Sequence, residues 1–148
     1  MNLSNKGLKS PEWKENGYKL FSYDRDELVK KTHDNPIWVH FGAGNIFRGF
    51  PARLQQIIVE KGLSDKGIVV GEGFDTEIIS DIYNKYDNLT LLVTLKADGS
   101  IGKEVVGTVT EAYGCVYGDD WQRFVEVFEN PSLQMVSFTI TEKGYALK

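Results

Sequence analysis

The sequence is poor in the residues that anchor metals and crosslinks. Its 148 positions hold one cysteine, Cys115, and two histidines, His33 and His40. An internal disulfide is excluded, and a zinc centre is left with almost no ligands. No apolar run approaches the roughly 20 residues that cross a bilayer. The opening MNLSNKGLKSPEWKENG also lacks the apolar stretch of a secretory signal. Charge of one sign is missing too: 17 Lys and Arg stand against 21 Asp and Glu, a net of −4. Such a balance carries no electrostatic footprint for duplex DNA or an anionic membrane. The expectation is a protein of the cytoplasm that engages neither nucleic acid nor membrane. What is present, 41% apolar and 26% charged residues, is the composition of a single globular domain.

Residues 1–36 read as a lead-in packed on the domain. Seven Lys and Arg balance six Asp and Glu there, so it is no basic arm, and Trp13, Tyr18, Phe21 and Tyr23 suit packing. A short helix is expected over 26–32, before the Asn35-Pro36 breaker. Residues 37–148 hold the domain proper. The run 37–41 is short, β-branched and aromatic, and reads as a buried strand stopped by Gly42. Leu54, Ile57, Ile58 and Leu63 are compatible with a helical stripe capped by Gly62. A second strand follows at 67–71, and Ile78, Ile79, Ile82, Tyr83 and Tyr86 recur at helical spacing. Strands at 89–95 and 105–109 flank a hairpin loop at 97–100. Asp120 can cap a helix presenting Trp121, Phe124, Val125 and Phe128, ended by Asn130-Pro131. Residues 134–140 form a last strand. Strands alternating with helices predict an α/β domain with a mainly parallel sheet and a β-hairpin insertion. Ligands of such folds sit at the carboxyl ends of the strands.

The loop after the first strand is GAGNIFRGF, residues 42–50. Gly42 and Gly44, with Ala43 between them, make the G-x-G start of a dinucleotide fingerprint. The first glycine permits a tight turn, and at the second a side chain would block the backbone's approach to a pyrophosphate. A helix start beyond it offers unpaired N–H groups and a positive dipole end. The third glycine of the fingerprint is absent, with Phe47 in its place, and a ligand-free tight turn stays open as the alternative. If Asn45 capped the helix, Pro51 would be its sixth residue and would disturb the ladder. The helix is therefore expected to start late, near 48–50, or to kink in its first turn; a late start would leave Asn45, Ile46 and Phe47 extended and facing a phosphate. Arg48 offers a planar fork to a phosphate oxygen, or else to a surface salt bridge. Glu72 and Asp75 follow the second strand. A carboxylate there accepts from adenosine ribose hydroxyls and repels a 2′-phosphate, which favours NAD over NADP. Solvated loop carboxylates are the alternative, since Glu72 lies 30 residues after Gly42, beyond the usual spacing of about 20.

The stretch VHFGAGNIFRGF, residues 39–50, resembles the start of the mannitol dehydrogenase family, the polyol-specific long-chain dehydrogenases. The group includes mannitol dehydrogenases and the fructuronate and tagaturonate reductases. Its members pair G-x-G with an arginine soon after, here Arg48. LTLLVTLKADGS (89–100), GTVT (107–110) and FTITEKGY (138–145) are similar to later landmarks of the family. The last of these, with Thr141 and Glu142, matches its strand-end signature near the nicotinamide. The resemblance implies a Rossmann-like doubly wound fold and NAD as the cofactor, with no metal. It further implies hydride transfer between nicotinamide C4 and the carbonyl carbon of a ketose or keto-hexuronate. Phe47 departs from the glycine of the mannitol-1-phosphate branch and disfavours that substrate. The family's lysine acid/base and its asparagine and histidine partners belong to a largely helical second domain. No catalytic residue is therefore expected in these 148 positions, and Lys143 is read as solvated or phosphate-near. A surface that meets such a domain is expected to be partly apolar, which leaves self-association open. The rival readings are a non-catalytic nucleotide-binding or interaction module and an S-adenosylmethionine methyltransferase. FTITEKGY and the Arg48 spacing speak against the methyltransferase. His33 reads as a surface residue, His40 as core, and Cys115 as a small buried side chain.

Overall fold

The computed structural model describes residues 1–115 and 118–140. In chain order its elements are α1 (Glu12–Glu15), α2 (Arg25–Asp34), β1 (Trp38–Phe41), α3 (Asn45–Gly49), α4 (Pro51–Glu60), β2 (Ile68–Glu72), β3 (Thr90–Leu95), β4 (Ile101–Val106), β5 (Val109–Gly114), α5 (Asp119–Glu129) and β6 (Met135–Phe138).

A four-stranded sheet in the order β5-β2-β1-β6 is parallel throughout. Every residue of β2 is buried, as a strand covered by helices on both faces requires. On one face Ile68 and Val70 pack with Phe47 of α3 and Ala52 of α4. On the other, Val39 and Val69 pack with Phe124 and Val127 of α5. The fold is thus a doubly wound α/β sheet of Rossmann type. β3 and β4 form a separate antiparallel hairpin, with residues 97–100 in its loop. Trp13 of α1 is buried against Leu89 and Val105 beneath it. Lys19 pairs with its edge, donating N–H to Lys103 C=O at 2.8 Å and accepting from Val105 N–H at 2.9 Å. Arg25, buried at the start of α2, donates to the carbonyls of Gly107, Asp87 and Val109 and to Asn5 Oδ1.

Several local expectations are corrected. Of the two forms expected for the helix after the glycine turn, the late start is wrong and the interruption caused by Pro51 is present: α3 begins at Asn45 and stops at Gly49, and Pro51 opens α4 as its first residue. Proline is at home there because a first-turn N–H has no helical acceptor anyway. Residues 45–47 are therefore helical rather than extended. On α4 the buried face is Ala52, Gln55, Gln56 and Val59, while Leu54 and Ile58 point outward. Gln56 is buried because its side chain bridges to Tyr23, Gly107 and Val105. Gly62, with φ of +69°, does close that helix. The helical spacing at 78–86 resolves into a π turn at Ile79–Tyr83 and a 3-10 turn at Asn84–Tyr86. The strand expected at 105–109 is the end of β4 and the start of β5, divided at Gly107. There a Cβ would sit 2.6 Å from the Phe21 ring. Asp120 does not cap α5; Gly118 does, and Asp120 Oδ2 accepts from Gly114 N–H at 3.0 Å. Trp121 and Phe128 are about half exposed, and Phe124 and Val127 form the buried face of α5.

Candidate functional site

The sheet order reverses between β1 and β6, and an open cleft of about 660 Å³ lies across the carboxyl ends of the strands there. Phe41, Gly42 and Gly44 contribute its β1 side, Glu72 and Phe74 its β2 side, and Phe138, Thr139 and Ile140 its β6 side. The two glycines are there for different reasons. Gly42 has φ of +106°, and a Cβ on it would meet Thr139 C=O at 3.0 Å and Thr139 Cβ at 3.2 Å. Only glycine fits that backbone. Gly44 has ordinary extended angles (φ −75°, ψ −176°), and a Cβ on it would find nothing within 4 Å. Nothing among the described residues demands a glycine there; the space it leaves is open cleft. Arg48 N–H is the first to bond back, to Gly44 C=O at 3.2 Å, so the N–H groups of Asn45, Ile46 and Phe47 precede the helical ladder. With five residues, α3 has little aligned dipole. An anion here would meet individual N–H groups instead of the expected macrodipole end.

Glu72 clamps this turn. Its Oε2 accepts from Ala43 N–H at 2.9 Å, and its Oε1 accepts from Phe74 N–H at 2.9 Å and Asp75 N–H at 3.4 Å. Burial raises the carboxyl pKa, but these backbone donors outweigh it and hold the group below the usual glutamate value. A carboxylate has about four acceptor sites, so Oε2 keeps one open. Asp75 is exposed and does not line the cleft, so the two carboxylates do not share one role. From the other side, Tyr83 OH donates to Ala43 C=O at 2.8 Å. Arg48 lies over the Tyr83 ring, 5.9 Å from its centre, and donates to Asn45 Oδ1. Its Nε–H is buried without a partner among the described residues. Ile46 is exposed at the cleft. Phe47 is fully buried, stacked on His40 at 4.1 Å, so its side chain faces the core and not a phosphate.

The residues that sequence reasoning missed lie at the end of β6. His40, Trp38, Ser137 and Thr139 are joined by hydrogen bonds under the cleft floor. The available signal was the alternation of Ser137 and Thr139 on one strand face. Burial pushes the His40 pKa down to about 4. Cys115 is half-buried at the cleft edge, and burial, with the nearby Glu72 and Asp120 charges, pushes its thiol up to about 11. It is no thiolate at neutral pH. His33 is exposed and 3.3 Å from Glu111 Oε1. Thr141, Glu142 and Lys143 lie outside the described residues. Among the described residues no cluster of three or more His, Cys, Asp or Glu could hold a metal ion, and no helix is long and apolar enough to cross a membrane.

Comparison with known proteins converges on one group. Residues 36–147 match the mannitol dehydrogenase Rossmann domain family. A D-mannonate oxidoreductase of Thermotoga maritima is 48% identical over 137 residues, covering 92% of this chain and 25% of that protein. Among solved structures, a D-sorbitol dehydrogenase in substrate-free form superposes with a TM-score of 0.79 at 26% identity, over 98% of this chain and 28% of that one. The Pseudomonas fluorescens mannitol 2-dehydrogenase, solved as a ternary complex with NAD and D-mannitol, gives the same TM-score at 21% identity and equal coverage. The chain spans about a quarter of the length of these relatives.

Proposed function

The chain belongs to the mannitol dehydrogenase family through its Rossmann domain, and from that premise we propose that it binds NAD(H) in the cleft between β1 and β6. The observation that carries the reading is Gly44, whose missing side chain leaves open space on the cleft side of the turn. A pyrophosphate approaching there meets the N–H groups of Asn45, Ile46 and Phe47, which precede the helical ladder. The unpartnered Nε–H of Arg48 is a further donor beside the turn. The open acceptor site on Glu72 Oε2 takes an adenosine ribose hydroxyl, and its charge opposes a 2′-phosphate. Asp75 adds charge from the exposed loop beyond. The fully exposed ring of Phe74 gives adenine a surface to stack on. Thr141 and Glu142, which follow Ile140 in sequence, go to the nicotinamide side on the strength of the FTITEKGY resemblance.

The parent protein is then an oxidoreductase of the cytoplasm acting on a polyol or hexonate. Likeness to a D-mannonate oxidoreductase favours a hexonate and its keto-hexuronate, the fructuronate reductase type of reaction. NAD supplies the hydride acceptor at nicotinamide C4, and this chain's part is to place it. Glu72 is held ionised and both ring nitrogens of His40 are engaged, so neither gives a substrate its proton. The 148-residue chain is expected to bind NADH without oxidising it. Exposed Phe50, Leu54 and Ile58 recur every four residues from the start of α4. Through this apolar stripe the chain would meet other parts of its parent or a second copy.

Fluorescence titration with NADH, NADPH and S-adenosylmethionine tests the reading. Saturable NADH binding, weaker NADPH binding and no response to S-adenosylmethionine are expected. Binding of S-adenosylmethionine, or preference for NADPH, overturns it.

A further inference from the structure

Four side chains tie β1 to β6, and their hydrogens can be assigned by elimination. The Trp38 indole is a donor only, so its Nε1–H donates to Ser137 Oγ at 2.7 Å. Ser137 Oγ is also 2.8 Å from His40 Nδ1, and among the described residues its hydroxyl has no other acceptor in reach. The Ser137 hydroxyl therefore donates to Nδ1. A neutral imidazole that accepts at Nδ1 carries its hydrogen on Nε2. That Nε2–H donates to Thr139 Oγ1 at 2.9 Å. A protonated ring would donate from both nitrogens and strand the Ser137 hydrogen; burial, which lowers the ring's pKa to about 4, keeps it neutral. The buried Phe47 ring, stacked within 11° of parallel, fixes the imidazole plane. Thr139 Oγ1 is thus already an acceptor, and its own hydrogen is free. Thr139 lines the cleft beside Gly42, where the sheet order reverses.

We propose that Thr139 donates its hydroxyl hydrogen to an acceptor oxygen of the bound dinucleotide, in the pyrophosphate or the adjoining ribose, and that Ser137 and His40 are positioning residues that hold it in the donor state. The proposal rests on the reading of the cleft as an NAD(H) site. It gives the polarity of the relay a purpose. Were Nε2 the acceptor, the Thr139 hydrogen would be tied down and the cleft would meet only lone pairs, unsuited to an oxygen-rich ligand.

Two measurements test it on the purified chain. Long-range nitrogen-15 NMR should find the His40 hydrogen on Nε2 at neutral pH; a hydrogen on Nδ1 overturns the relay. In NADH titrations Thr139→Val should weaken binding by roughly two- to twelvefold, the range of one hydrogen bond, while Thr139→Ser restores it. Ser137→Ala removes the hydroxyl that donates to His40 Nδ1 and so sets the direction. It should weaken NADH binding in the wild-type background and leave Thr139→Val unchanged. Valine matches threonine in shape and keeps the Thr139 N–H bond to Phe41 C=O, but it leaves the His40 Nε2–H without its acceptor, so Thr139→Val should stay folded with a loss of about 1–3 kcal/mol that serine recovers. Wild-type affinity in Thr139→Val, or loss of affinity without rescue by serine, overturns the inference alone. A wild-type chain that binds no NADH overturns the proposed function with it.

Discussion

A valine at position 44 should separate the ligand's requirements from those of the fold. Its backbone angles, φ −75° and ψ −176°, are open to any L-residue, and its Cβ would meet no atom within 4 Å. Replacing glycine where the native angles suit a side chain tends to stabilise, by about 0.4–1 kcal/mol, through the unfolded chain. Gly44→Val should therefore melt within about 3 °C of wild type. The ligand has no such freedom. A branched side chain fills the space over the turn and holds the pyrophosphate off its N–H donors. Losing two charge-assisted hydrogen bonds at about 1.5–3 kcal/mol each amounts to about 3–6 kcal/mol, a drop in affinity beyond 100-fold. Gly42→Ala is the contrasting control. At φ of +106°, with Thr139 C=O 3.0 Å from the new Cβ, it carries strain of about 1–3 kcal/mol and should melt lower. Paired thermal melts and NADH titrations read both quantities. If Gly44→Val binds NADH as wild type does, or melts below Gly42→Ala, the assignment of the turn is wrong.

Glu72→Gln replaces one acceptor oxygen with an NH2 group that cannot satisfy the backbone donors, so urea unfolding should register a loss of about 1–3 kcal/mol and NADPH should gain on NADH. Because the folded-state pKa of Glu72 is depressed, its contribution is present above the ordinary glutamate value and is lost as pH falls through the folded one. The wild type should accordingly lose its advantage over Glu72→Gln under acid, and an advantage that persists at the lowest pH sinks the clamp argument. His40 gives a window of its own. With a folded pKa near 4 against an ordinary 6.5, the unfolded chain binds more protons between those values, so stability falls as pH drops from 6.5 towards 4. Denaturation of His40→Gln across that range should show a shallower slope, and equal slopes would mean that the ring titrates normally.

The parts of this molecule that could be read along the chain are those whose cause is local. Apolar β-branched runs gave β1 and β2, and Gly62 ended α4, because each depends on near neighbours. β5 was obscured by polar Thr110 and Glu111 in its middle. Glu111 is nevertheless buried, because Arg123 from α5 donates to it at 2.7 and 2.9 Å and Tyr113 OH at 2.8 Å. Arg123 lies twelve residues on, in the next element, so the strand's own residues do not reveal it. The same holds at the site. Position after a strand singles out Glu72 as a carboxylate of interest, but its grip on Ala43 spans 29 residues. His40 reads as core from its strand, whereas its partners are 97 and 99 residues away.

Phe47 and Pro51, the two departures from a regular dinucleotide turn, account for each other. The third glycine of the fingerprint normally lets the following helix pack closely on the strand. Here a phenylalanine ring fills that space, fully buried and stacked on His40 of β1. An unbroken helix through this point would also need an N–H that Pro51 lacks. The chain breaks at Phe50, with φ −123° and ψ −73°, and restarts with Pro51 as the first residue of α4. Ala52, a small residue one place on, is then fully buried in the same cluster as Ile68 and Val70. α3 therefore carries the open side of the turn together with the buried Phe47, and α4 adds Ala52 to the same core cluster. The close packing that one glycine usually provides is divided between an aromatic stack and an alanine contact one turn later.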